Sequence, residues 1–119
     1  MGTWGYGPFD DDNALEWVLE LEEAKDWRAV ESALRAAAAM PLDAYLQPAD
    51  AQVAWAAAAV VAAASSADVA VPDRVASWLQ GHRETCPPEL RPLAVEALRR
   101  IRAGKQGRAG LEDLIATLG

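Results

Sequence analysis

Twelve consecutive residues, Val53 to Ala64, are apolar, and eight of them are alanine. A helix through this run has no polar stripe to turn toward water. It must lie at the centre of its neighbours or approach them closely through small side chains. Crossing a bilayer needs roughly 20 apolar residues, so the run is too short to do so. Pro48 suits the first turn of this helix, which is predicted to run to about Ser65.

The same arithmetic governs the rest of the core. Hydrophobic types make up 52% of the 119 residues, but 27 of those are alanine, and Ile, Leu, Val and Phe together number 25. Alanine favours helix and contributes little buried area. The five tryptophans must therefore provide much of the bulk, each burying on the order of 200 Å².

Periodicity supplies the other elements. Asp10, Asp11, Asp12 and Asn13 offer caps and first-turn negative charge for a first helix. Its inner face carries Ala14, Trp17, Val18, Leu21 and Ala24. Asp26 can cap a second helix with Trp27, Val30, Leu34 and Ala37 on one side, making a tight hairpin with the first. Leu42, Tyr45 and Leu46 sit in a connector, and Ser65, Ser66, Ala67 and Asp68 break the third helix. Pro72 and Asp73 open a fourth, with Val75, Trp78 and Leu79 inward, that ends near Gly81 or shortly after. A fifth is expected from Pro87 and Pro88 to Gly104, lined by Leu90, Ala94, Ala97, Leu98 and Ile101. A sixth, from about Gly110 to Leu118, buries Leu111, Leu114, Ile115 and Leu118. Strand-like alternation is absent, and the tryptophans follow no fixed repeat. The expected fold is all-α: one domain over residues 1–119, of five or six short antiparallel helices. Residues 1–10, rich in Gly and aromatics, form an irregular arm, and residues 11–119 form the helical domain.

The net charge of −7 is unevenly placed. Residues 1–31 hold nine acids and two bases, whereas residues 32–119 hold nine of each. Arg91, Arg99, Arg100, Arg102, Lys105 and Arg108 face only Glu96 between positions 91 and 108. Two solvated faces that attract one another within the fold would explain this pattern, as would an acidic surface offered to a basic partner. The acidic total argues against nucleic-acid binding.

Several chemistries are excluded or weakened. One cysteine and one histidine allow neither a disulfide scaffold nor a zinc finger, and a reducing, cytoplasmic setting is expected. No secretory leader is recognisable, and Tyr6 stands where a myristoylation signal needs Ser or Thr. Asp10, Asp11 and Asp12 fail as a calcium loop, because counting from Asp11 puts Leu15 fifth and Glu16 sixth. Helix capping accounts for these acids. The competing reading is a magnesium-type site using Asp10 and Asp12. His82 and Cys86 are four apart, but Gly81 and Pro87 argue that the helix has ended between them. Ser32, Ser65, Ser66 and Ser77 lack a catalytic context, and the arm's glycines follow no strand, so no phosphate loop is present.

The opening MGTWGYGPFDDDNALEWVLEL resembles that of a family of small bacterial proteins known as domain of unknown function 4259. Its members open Met-Gly-x-Trp-Gly-x-Gly-x-Phe-Asp-Asn-Asp, followed by Ala and Trp on a helix. Met1, Gly2, Trp4, Gly5, Gly7, Phe9, Asp10, Asp12, Ala14 and Trp17 match, with Asp11 where Asn is commoner. The stretch around Val60 and Val61 is similar to the family's Ala-Glu-Val-Val-Ala helix, with Ala59 in place of the acid. The resemblance implies that this chain has lost a buried or semi-buried carboxylate there. It weakens after about residue 103, and the family brings no assigned activity.

The function expected on these grounds is a non-catalytic interaction or regulatory module, in the manner of a toxin-neutralising protein, with no cofactor. Its partner would be another protein with a basic surface, and neither nucleic acid nor membrane is expected. The candidate contact residues are Trp4, Tyr6, Phe9, Asp10, Asp12, Glu16, Glu20 and Glu23. The alternatives are a metal-dependent hydrolase or small-ligand binder using Asp10 and Asp12, and a self-associating structural protein.

Overall fold

A computed structural model of the chain describes residues 9, 12–40, 48–66, 69, 71–103 and 111–118. Among the described residues are six α-helices and no strand: α1 (Asp12–Glu23), α2 (Arg28–Ala38), α3 (Pro48–Ser65), α4 (Asp73–His82), α5 (Leu90–Ala103) and α6 (Leu111–Leu118). A 3-10 turn at Arg83–Thr85 extends α4. The expected all-α class is therefore observed. The arm apart from Phe9, the connector with Leu42, Tyr45 and Leu46, and Ala67, Asp68, Gly104 and Gly110 lie outside the described residues.

The alanine-rich helix is both central and closely packed. From Ala51 to Ala63 every residue except Val53 is at most 2% exposed. Helix α3 packs against α1, α2, α5 and α6. Trp55 is the largest fully buried side chain in the core. Around it the alanines let neighbouring backbones come close, while Val60 and Val61 fill the remaining space. Gln52 is also buried, at the front of the apolar run.

The other helices seal this rod with the residues that periodicity selects. Ala14, Trp17, Val18 and Leu21 are buried from α1, and Val30, Leu34 and Ala37 from α2. Val75, Trp78 and Leu79 come from α4, and Leu90, Ala94, Ala97, Leu98 and Ile101 from α5. Leu114 and Leu118 close the end from α6. The expected tight pairing of the first two helices is corrected: α1 lies mainly on α3 and α4, and α2 mainly on α3 and α5. Both turn their buried stripes toward the apolar rod, which has no polar side of its own to leave exposed.

The turns follow local chemistry. The expected Asp26 cap is corrected by one residue: Trp27 occupies the N-cap of α2 without a side-chain cap bond, and the Asp26 carboxylate just before it accepts the Arg28 N–H at 3.0 Å in an Asx-type turn. Helix α5 starts later than its prolines suggest. Leu90 and Arg91 donate to the carbonyls of Pro87 and Pro88, so the entry is a tight i to i+3 turn and the α-helix proper begins at Leu90.

An aromatic clasp ties the α1–α2 connection to the end of α4. The Trp27 indole donates to the His82 carbonyl at 2.9 Å, and the Trp78 indole donates to the Ala24 carbonyl at 3.1 Å. The two indoles meet edge to face with centroids 4.9 Å apart. His82 stacks on Trp78 at 4.1 Å and 6°, its Nδ1 2.8 Å from the Trp78 carbonyl. The two indole N–H groups of the clasp are thus each satisfied by a carbonyl at a helix end.

Candidate interaction face

The helical spacing that buries Trp17 and Leu21 turns the acids of α1 outward. Asp12, Glu16, Glu20 and Glu23 are all exposed. Among the described residues none of the four forms an ion pair. They share one side of a helix only 12 residues long, so their fields add over a small area. The same helix exposes two large apolar side chains, Leu15 (47%) and Leu19 (51%), the only such residues among those described.

The acids of α2 behave differently. Glu31 is bound by Arg35 at 2.7 Å, and Asp26 lies 3.7 Å from Arg28. The acidic surface expected across the first two helices therefore narrows to α1. Glu22, on the edge of α1 toward α4, is bound by Arg74 at 2.6 Å. A shallow groove of about 380 Å³ runs between these helices, floored by Val18 and edged by Leu15, Leu19, Pro72 and Arg74.

The C-terminal bases do not neutralise the acids of α1 among the described residues. Arg99 and Arg100 both bind Glu96, at 3.2 and 2.7 Å. Arg100 also donates to the Met40 carbonyl just beyond α2, at 2.9 Å, and Arg91 donates to the Leu118 carbonyl at the end of α6, at 3.2 Å. Cations here meet the negative ends of helices, where terminal carbonyls lack intrahelical partners. Among the described residues, Arg91, Arg99 and Arg100 thus make local bonds in place of the expected attraction to the acidic segment.

Other candidates separate on inspection. Phe9 is 9% exposed and belongs to the core, so its ring is an anchor and not a surface contact. Trp4, Tyr6 and Asp10 lie outside the described residues. Asp12 stands exposed at the start of α1, and among the described residues no three His, Cys, Asp or Glu side chains gather as a metal site would require. His82 ends α4, whereas Cys86 follows the 3-10 turn in extended backbone. Partial burial raises the Cys86 thiol pKa, with Arg91 lowering it and Glu89 raising it by smaller amounts. A raised thiol is the reverse of what a nucleophilic cysteine needs. No described helix is long and apolar enough to cross a membrane.

Sequence reasoning missed Leu15 and Leu19 as surface features. The signal was available: both lie off the Ala14, Trp17, Val18 and Leu21 stripe, yet they stand one turn apart on a common face.

No curated protein and no solved structure matches the chain. The family model described as Domain of unknown function (DUF4259) matches residues 2–114, past the point near residue 103 where the resemblance weakens by eye. With nearly the whole chain matched, this protein belongs to the DUF4259 family.

Proposed function

We propose that the protein is a non-catalytic interaction module whose α1 presents an acidic face to a basic protein, in the manner of a regulatory or toxin-neutralising protein. The observation that carries this reading is the set Asp12, Glu16, Glu20 and Glu23, exposed along one short helix and without ion pairs among the described residues. Uncompensated like charges so close together repel one another, a cost that a cationic partner removes. The lone cysteine supports a reducing, cytoplasmic setting.

Affinity capture with the wild-type chain and the charge-reversed E16K/E20K/E23K variant tests the reading. The three positions are exposed, so the variant should fold. Wild type is expected to retain basic proteins that elute as salt rises from about 0.1 to 1 M, over which the Debye length shrinks from roughly 10 to 3 Å. The variant should lose most of them. Equal retention by both chains would sink the proposal.

A further inference from the structure

Leu15 and Leu19 are about half exposed, on a helix whose other apolar residues are buried. At 100° per residue their strip lies roughly 75° around the helix axis from the mean direction of Asp12, Glu16, Glu20 and Glu23. One edge of the apolar strip is therefore strongly acidic. The other edge faces α4, where Arg74 and Glu22 neutralise each other at 2.6 Å. Between the edges runs the groove floored by Val18, with Pro72 on the far wall. Its lining is thus asymmetric: anionic on the α1 side, apolar in the middle and, on the α4 side, Pro72 and an Arg74 already engaged by Glu22.

We propose that this groove seats one amphipathic helix of a partner protein, with an apolar stripe on Leu15 and Leu19 and Lys or Arg along one flank only. The inference rests on the reading of α1 as an interaction face and adds the occupant's form. A helix suits a shallow groove along α1 that is walled by the start of α4, because its i, i+3 and i+4 side chains make a matching ridge. Charge complementarity places the partner's bases over Glu16, Glu20 and Glu23, while the groove wall opposite carries Pro72 and Arg74, whose pairing with Glu22 leaves a second basic flank no acid on that wall to bind. An anionic lipid surface is a poor occupant, since the acids bordering the leucines would be repelled by it.

The full chain, labelled with ¹⁵N, is titrated with two synthetic helices of about four turns. One carries a leucine stripe with lysine on one flank and glutamine on the other, and the second replaces the leucines with alanine. The first peptide is expected to shift amides of α1 and of the first turn of α4, and the second to bind at least about tenfold more weakly. In Leu15→Gln/Leu19→Gln the first peptide should also weaken at least about tenfold, while thermal stability holds because both leucines are exposed. E16K/E20K/E23K should weaken binding and abolish its salt dependence.

Undiminished binding to the double-glutamine variant, or shifts centred elsewhere, overturns the groove, while sensitivity to the charge variant would leave the acidic-face reading standing. Sensitivity to the leucine variant alone overturns both the acidic-face reading and the basic flank. If the double variant fails to fold, the alanine-striped peptide decides the same question on the wild-type chain: binding as tight as that of the leucine-striped peptide overturns the groove.

Discussion

Trp55→Ala is expected to lose about 3–5 kcal/mol of stability, the usual range for removing a large aromatic side chain from a core. Domains of this kind have about 5–15 kcal/mol in total. The expected loss corresponds to a melting-temperature drop of roughly 12–20 °C, taking about 4 °C per kcal/mol for a chain of this size. The reason is particular to this core. Trp55 is 1% exposed on a helix whose buried neighbours are mostly alanine, and alanines have no rotamers with which to fill the vacated space. The cavity should therefore persist. Leu15→Ala trims a side chain that is 47% exposed and lies outside the core cluster, and should change stability by under about 0.5 kcal/mol. Thermal melts of the two variants side by side check both figures. A drop of less than about 4 °C in Trp55→Ala would mean that α3 is not the enclosed rod described above.

Ala59→Glu, which restores the acidic residue that the family resemblance expects, should be still more disruptive at neutral pH. Ala59 is fully buried in this chain. An uncompensated buried carboxylate costs about 3–5 kcal/mol, in addition to about 1–3 kcal/mol for forcing extra atoms into a packed core. Ala59→Gln has nearly the same volume without the charge, and separates the two effects. Burial should raise the pKa of the new glutamate above the ordinary value of about 4.3. Its penalty is then fully present above the folded-state pKa and fades as pH falls toward the unfolded value. Urea midpoints of the two variants should differ widely at pH 7 and converge near pH 4. Equal midpoints at pH 7 would show that a cation reaches position 59.

Where a helix buries one stripe, the sequence is legible almost residue by residue. Trp17 and Leu21, Val30 and Leu34, and Leu98 and Ile101 all fall inside as their spacing predicts. The third helix was legible for the opposite reason: with no polar side, it had to be enclosed. What periodicity cannot supply is the partner of each face. Trp27 and Trp78 are separated by 51 positions, and nothing local says that each indole will find a carbonyl beside the other's helix. The basic run near the C-terminus was legible only in kind. Charge counts suggested acids or a helix end as partners, and Arg99 and Arg100 do bind Glu96, but that Arg91 and Arg100 also use the carbonyls ending α6 and α2 is a demand created only when helices are assembled.

The interaction face was legible in part. Glu16, Glu20 and Glu23 could be read from charge and spacing, whereas the neutralisation of Glu31 and Asp26 by neighbouring arginines, which removes α2 from the acidic surface, needed side-chain geometry. Phe9 shows the limit of motif reading, because the same aromatic suits a contact surface and a core anchor, and burial decides between them.

The central claim is that α1 presents the densest uncompensated negative charge among the described residues. Paramagnetic broadening of backbone amides by a cationic and a neutral nitroxide of similar size measures it directly, since the ratio of the two effects at each amide reports the local potential. The largest excess broadening by the cationic probe is expected along Asp12–Glu23, and should disappear in E16K/E20K/E23K. An excess spread evenly over the surface, or centred on α2 or α5, would contradict the account.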